Sequence, residues 1–262
     1  MGINMQPLEA ITNTFAQKKP AFMPYFTLGY PDLATSLDVI EACAAAGADM
    51  MELGVPFSDP LADGPTIQHS TQVALQGGMT VEKCLTAVSH LRARHITIPF
   101  MLMGYINPIL AYGLEQFVAA AAQAGVNGFI VPDLPPDEAD ELAALSAAHN
   151  LALTYLLSPN SSDERIKLVT QKSTGFTYLV SVTGITGARQ ELSQALGDFI
   201  RRVRVHANGP LAVGFGISTR AQVEAVGALA DGVIIGSALI KAVDAATDKA
   251  EAAARFVQEM VG

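Results

Sequence analysis

The chain has 262 residues, half of them hydrophobic and only 16% charged, with a net charge of −9 at pH 7. That acidity argues against nucleic acid or an anionic membrane as partner, and no run reaches the roughly 18 uninterrupted apolar residues of a membrane span. The low charged fraction fits either a large core or a surface covered by a partner.

A polar helix is predicted first, over Leu8–Gln17. Apolar runs then follow at Phe22–Thr27, Asp49–Leu53, Phe100–Met103, Gly128–Val131, Leu151–Leu156, Phe176–Val180, Leu211–Val213 and Gly232–Ile235. Helical periodicity follows them, for example over Leu33–Ala46, Val81–Arg94, Leu114–Ala124 and Asp137–His149. Near-continuous apolar strands alternating with helices predict a parallel sheet covered on its outer face. An open doubly wound sheet would usually stop at five or six strands, so the pattern predicts an α/β fold of the (β/α)8 TIM-barrel type. It has an extra N-terminal helix and forms one catalytic domain over residues 1–262, a length usual for that barrel.

In such a barrel, chemistry sits where strands run into the following loops. The second strand carries Glu52 at its exit, and a proline-rich loop follows to Asp63 before a helix begins near Thr66. A carboxylate inside an apolar run is costly unless it has a task or a partner. The predicted strands contain no lysine or arginine that could pair with Glu52. Asp63 stands in Asp-Gly-Pro, which is equally ordinary turn chemistry, so spacing leaves its role open. Asp59 reads as a turn or surface residue, and Asp133 either lines the pocket or, on the favoured reading, caps the turn into the next helix.

Other chemistries find no residues. None of the seven lysines lies at a predicted strand terminus, where an imine-forming aldolase needs one. The five histidines fall in or beside helices without metal-site spacing, and Cys43 and Cys84 lie within helical patterns. No cofactor or metal is therefore expected, and carbon–carbon or proton-transfer chemistry must rest on carboxylates and hydroxyls. Glycines in the loops after the last three strands, at Thr183–Gly187, Gly214–Ser218 and Gly236-Ser237, read as a phosphate cradle. The alternative is that Gly216 and Gly236 only cap tight turns. Thr183–Gly187 is long enough to form a lid. The first residues lack the basic and apolar regions of a signal peptide, so a cytoplasmic protein is expected.

The segment Met51–Gln68 resembles the signature of the tryptophan synthase alpha chain family. The likeness continues through Tyr25–Asp32, Tyr105–Pro108, Val131–Pro135, Thr183–Gly187, Gly214–Ser218 and Gly236-Ser237, in the family's order. It implies retro-aldol cleavage of indole-3-glycerol phosphate to indole and glyceraldehyde 3-phosphate. Glu52 would be the general acid/base, Asp63 would stabilise charge at the indole nitrogen, and Tyr178 would lie beside the glutamate. Tyr25, Met103, Ile130 and Phe215 would form the apolar slot for the indole. Thr186 would position the lid, with Gly187, Gly216, Gly236 and Ser237 around the phosphate. The resemblance further implies an α2β2 complex with a beta chain that holds pyridoxal phosphate, met by Pro56–Pro60, Asn107-Pro108 and Pro135. A stand-alone lyase releasing indole and a non-catalytic, phosphate-ligand-binding regulatory barrel are the alternatives. Two positions depart from the family pattern. Val182 stands where several members have arginine, leaving Arg189 as a substitute, and Tyr25 stands where phenylalanine is common, adding a hydroxyl that needs a partner.

Overall fold

The computed structural model describes residues 6–181, 189–214 and 216–262. Nine strands run β1 Ala21–Thr27, β2 Met51–Gly54, β3 Phe100–Met103, β4 Gly128–Ile130, β5 Ala152–Thr154, β6 Leu156–Leu157, β7 Thr177–Val180, β8 Leu211–Gly214 and β9 Gly232–Ile235. All strand pairs are parallel, in the order β5-β4-β3-β2-β1-β9-β8-β7-β6.

The two ends of that order, β5 and β6, are halves of one predicted strand, so nine segments make eight staves. The expected Leu151–Leu156 strand is interrupted at Tyr155. There the stave changes neighbours: β5 pairs with β4 and β6 with β7. The Tyr155 amide turns to Ser173 Oγ (3.3 Å), while its carbonyl accepts from the Tyr178 amide (3.1 Å). Register shows that the circuit closes. Leu156 matches Ala21 through Tyr178, Ala212 and Gly232, whereas Tyr25, four residues beyond Ala21, matches Ala152 through Glu52, Met101 and Gly128, four residues short of Leu156. Four and four make a stagger of eight residues per turn, the shear of a (β/α)8 barrel.

Helices cover the outside. The predicted ones appear as α1 Pro7–Gln17, α2 Leu33–Ala45, α4 Val81–Ala93, α6 Leu114–Ala124 and α7 Asp140–Ala148. Between and after them come α3 Pro65–Gln76, α5 Ile106–Tyr112, α8 Asp163–Lys172, α9 Arg189–Arg204, α10 Arg220–Gly227, α11 Ser237–Asp244 and α12 Lys249–Val261. Helix α7 starts three residues later than predicted, and Asp137 pairs with Arg165 instead of entering it.

Helix α1 is less polar in use than in composition. Its Ile11 and Phe15 are buried, and Phe15 packs on Phe176 at 5.5 Å between ring centroids. The Leu8 amide donates to the Asn150 carbonyl (3.0 Å), and Asn127 Nδ2 donates to the Pro7 carbonyl (3.1 Å). These residues precede their strands, so α1 plugs the end of the barrel opposite the one where catalysis is expected. In a parallel barrel, residues paired in register share a face and alternate along the strand. Tyr25, Glu52 and Met101 therefore share the interior with Thr27, Gly54, Met103 and Ile130 one step nearer the mouth.

The interior is filled tightly enough that its glycines are required. A Cβ on Gly128 would sit 2.6 Å from Ala152 Cβ and 2.7 Å from the Ala152 carbonyl oxygen, whereas one on Gly209 would meet nothing within 4 Å. Gly128→Ala should lower stability by about 1–3 kcal/mol, read as a lower urea midpoint, and Gly209→Ala should change it by less than about 0.5 kcal/mol. Equal midpoints for the two variants would contradict this packing.

Candidate active site

Glu52 lies inside the barrel near the mouth, 3% exposed, and its Oε1 has no hydrogen-bond partner. Among the described residues no cation offsets the loss of water. Burial, and secondarily the proximity of Asp63, push its carboxyl up to about 8. Asp63 arrives from the loop after β2. Its amide donates to the Pro60 carbonyl (3.1 Å) and its own carbonyl accepts from Gln68 Nε2 (2.8 Å), fixing the turn into α3. Its Oδ1 is also buried without a partner. Burial raises this carboxyl to about 6, against a lowering contribution from the Tyr105 hydroxyl. The turn reading of Asp-Gly-Pro is met, and that same turn carries the Asp63 side chain into a buried position.

Tyr105 was not among the expected site residues. Its hydroxyl accepts from the Ala62 amide (3.0 Å) and its ring packs on Phe57 at 5.4 Å, tying the loop after β2 to the end of β3. Asp133 caps a helix, but not the one following its own strand: its Oδ1 accepts from the Ile106 amide at the start of α5 (3.0 Å). Asp59 is exposed and bonded to Ser58 Oγ, as a turn residue would be.

Two buried tyrosines complete the interior. A Cβ on Gly54 would lie 2.0 Å from the Tyr25 hydroxyl oxygen, and one on Gly214 would lie 2.1 Å from that of Tyr178. Each phenol fills the space that a side chain on a strand-end glycine would need. Gly214 therefore makes room for Tyr178, a use that its place in a phosphate-like motif did not reveal. Burial raises both phenols well above their usual range, with Asp63 and Glu52 adding to it for Tyr25, and Glu52 and Asp63 for Tyr178. The four groups thus share one low-dielectric volume. Met103 and Ile130 are buried beside them on β3 and β4.

On the other side of Tyr25, Gly236 packs against its ring, where a Cβ would come within 3.2 Å. Gly236 is the N-cap of α11 and supplies no side-chain cap, so the first amides of that helix are available to an anion. Helix α10 differs: Thr219 and Gln222 form a capping box, and the Ser218 and Thr219 amides both donate to Gln222 Oε1. Gly216 has φ +74°, a left-handed conformation that favours glycine. Thr186, Gly187, Phe215 and Val182 lie outside the described residues, and Arg189 is the first residue of α9.

Among the described residues no group of histidine, cysteine and acidic side chains is arranged to hold a metal ion, and no helix is long and apolar enough to cross a membrane. A groove of about 420 Å³ lies on the outer layer between the starts of α2 and α12, lined by Thr35, Asp38 and Thr247–Ala250.

Residues 11–262 match the family model described as "Tryptophan synthase alpha chain". Relatives of that name include one from Chloroflexus aurantiacus, 47% identical over 260 residues and covering 97% of this chain and 98% of its own, and one from Dehalococcoides mccartyi, 46% identical with the same coverage. Among solved structures, the alpha subunit from Legionella pneumophila superposes with a TM-score of 0.89 at 34% identity, covering 98% of this chain and 97% of its own. Tryptophan synthase from M. tuberculosis does so with a TM-score of 0.87 at 36% identity, covering 97% of each chain. The chain belongs to the tryptophan synthase alpha chain family and is a lyase of the alpha reaction, cleaving indole-3-glycerol phosphate without a cofactor of its own, alongside a beta chain that carries pyridoxal phosphate.

Proposed function

We propose that Glu52 and Asp63 divide the alpha reaction between them. The observation that supports this is a pair of buried carboxyls, each with one oxygen that has no hydrogen-bond partner, whose surroundings set them apart, at about 8 and about 6. At neutral pH Glu52 holds its proton and Asp63 is ionised. Glu52 gives its proton to C3 of the indole ring. Asp63 accepts the ring N–H hydrogen bond and offsets the positive charge that develops at the nitrogen. The resulting Glu52 carboxylate removes the proton of the side-chain hydroxyl, the C3–side-chain bond breaks, and indole and the aldehyde of glyceraldehyde 3-phosphate leave. Glu52 ends the cycle protonated, as it began.

Tyr178 borders Glu52, while Tyr25, Met103, Ile130 and Phe215 form the slot for the flat ring. The phosphate is received by Gly236 and Ser237 at the start of α11, with Gly216, Thr186 and Gly187 from the neighbouring loops. The free N-terminus of α11 supports this assignment more than the self-capped α10 does. The chain acts as one catalytic domain in the cytoplasm and assembles as α2β2. Leu61 and Leu110, 91% and 55% exposed near the mouth, add apolar area to the Pro56–Pro60 and Asn107-Pro108 surface expected to meet the beta chain.

Indole release from indole-3-glycerol phosphate by the full chain, with and without a beta chain, tests the reading. Glu52→Gln should lower kcat by about 10²–10⁴-fold with ligand binding largely kept, and a variant retaining a tenth of the rate would remove Glu52 from its role. Asp63→Asn should lower kcat with little change in binding, and an unaltered kcat would remove that assignment. The pH profile of kcat/KM should be bell-shaped, falling below about 6 as Asp63 gains a proton and above about 8 as Glu52 loses one.

The same burial governs stability. Below a pH of roughly 4.3 an unfolded glutamate also carries its proton, so holding Glu52 neutral costs nothing. As pH rises toward about 8, the unfolded chain has released that proton while the native state keeps it, and stability falls. Glu52→Gln should therefore be more stable than wild type by an increment that grows from pH 5 to pH 8, to roughly a few kcal/mol. Thermal melts across that range would show it, and an increment independent of pH would contradict it.

A further inference from the structure

Helix α11 carries an acid where a helix least favours one. Asp244 is its last residue, at the end where unsatisfied carbonyls already make the helix dipole negative. The Lys249 ammonium, at the start of α12, offsets part of that charge by donating to the carbonyls of Val243 (3.1 Å) and Ala246 (3.0 Å). The Asp244 carboxylate is engaged elsewhere: its Oδ1 accepts from the Tyr30 hydroxyl. A residue that works against its own helix is placed for the contact it makes.

Tyr30 is a fixed post. It stands in the loop after β1, 5% exposed, where the Gly29 amide donates to Ser36 Oγ (3.0 Å) and the Tyr30 amide to the Thr27 carbonyl (3.2 Å). Its ring packs on Phe26 of β1 (6.2 Å between centroids) and edge-on against His69 of α3 (6.1 Å). Helix α3 is itself joined to the end of β1 by the Thr27 and Ser70 hydroxyls, 2.7 Å apart. Burial, and secondarily the bond to Asp244, hold the phenol above its usual range, so it stays a donor at neutral pH. Tyr30 thus reaches from β1 and α3 to the C-terminal end of α11. The N-terminal end of α11 is Gly236, which packs on the ring of Tyr25, also on β1. With eight residues the helix is about 12 Å long, and both of its ends are set by residues of β1 and its loop.

We propose that Tyr30 is a positioning residue for the substrate phosphate: its hydrogen bond to Asp244 fixes α11 on β1, and so holds the uncapped first amides of that helix at the mouth of the barrel. This rests on the reading of Gly236 and Ser237 as the phosphate site. The latch acts through the helix, since Asp244 lies at the other end of α11 from Ser237 and carries the wrong charge to attract an anion. Sign separates the latch from simple electrostatics. By charge alone, removing an acid from α11 should tighten the binding of an anion, whereas loss of the latch should weaken it.

The test is calorimetric binding of two probes to the full chain: glycerol 3-phosphate, a stable analogue of the phosphate-bearing product, and indole. Steady-state indole release is measured in parallel. Tyr30→Phe keeps the packed ring and Asp244→Ala lies at an exposed position, so either serves if the other fails to fold. Each should weaken glycerol 3-phosphate about tenfold, the size of one hydrogen bond to a charged group, and leave indole within about twofold. Each should also raise KM with kcat nearly kept. The double variant should bind no more weakly than either single one, because both remove the same contact. Glycerol 3-phosphate binding that is unchanged or tighter in the folded single variants would overturn the proposal. So would an equal loss for indole, or additive losses in the double variant. Ser237→Asp, which sets a carboxylate at the start of α11, separates the latch from the phosphate site it serves. If that variant binds glycerol 3-phosphate normally, the phosphate site falls and the latch with it. If it loses the ligand while Tyr30→Phe keeps it, only the role of Tyr30 falls.

Discussion

A carboxyl group held inside a barrel, with no counterion among the described residues, is the constraint on which the rest of this structure depends. Glu52 is surrounded by apolar side chains and phenols, with Asp63 as its charged neighbour. In that setting ionisation is costly, and the group stays protonated at a pH where an exposed glutamate is charged. Keeping the carboxyl neutral costs stability above pH 5, where an unfolded glutamate would be ionised. Asp63, less deeply buried and near the Tyr105 hydroxyl, is raised less. Two carboxyls of similar intrinsic strength thus acquire opposite charge states from their surroundings alone.

Holding them there requires both ends of the barrel to be finished differently. Helix α1 closes the far end with Ile11 and Phe15, while the mouth is organised by loops that brace one another. The Tyr105 hydroxyl holds the Ala62 amide just before Asp63, and Asp133 reaches from the loop after β4 to cap α5. The position of Asp63 therefore depends on residues carried by three successive strands. Glycines decide the interior as much as side chains do, since Tyr25 and Tyr178 fit only because Gly54 and Gly214 lack a Cβ.

Much of this was legible in the chain. Parallel strands buried on both faces read as uninterrupted apolar runs, so seven of the eight staves were placed within a residue or two. The eighth, around Tyr155, was located, but its break was not. That break arises from a change of hydrogen-bonding neighbour, which no local pattern encodes. Glu52 stood out because an acid in an apolar run conflicts with its surroundings, and such conflicts concentrate at functional sites. Asp63 did not, because Asp-Gly-Pro is what an ordinary turn would contain. Tyr105 and the Thr27–Ser70 pair were invisible for the same reason, as tyrosine and small hydroxyl residues are unremarkable at strand ends and in helices.

The sequence by itself determined the barrel, the acid at the exit of the second strand and the family, since each follows from periodicity, from residue types at strand ends, or from a motif carried in one stretch of chain. Only the tertiary structure decided what those acids are. Whether Asp63 points inward and how deeply Glu52 is enclosed both depend on contacts between residues far apart in sequence. Thr27 and Ser70 are 43 positions apart, as are Ala62 and Tyr105. Charge state is a property of the enclosed volume, and that volume exists only once the barrel has closed.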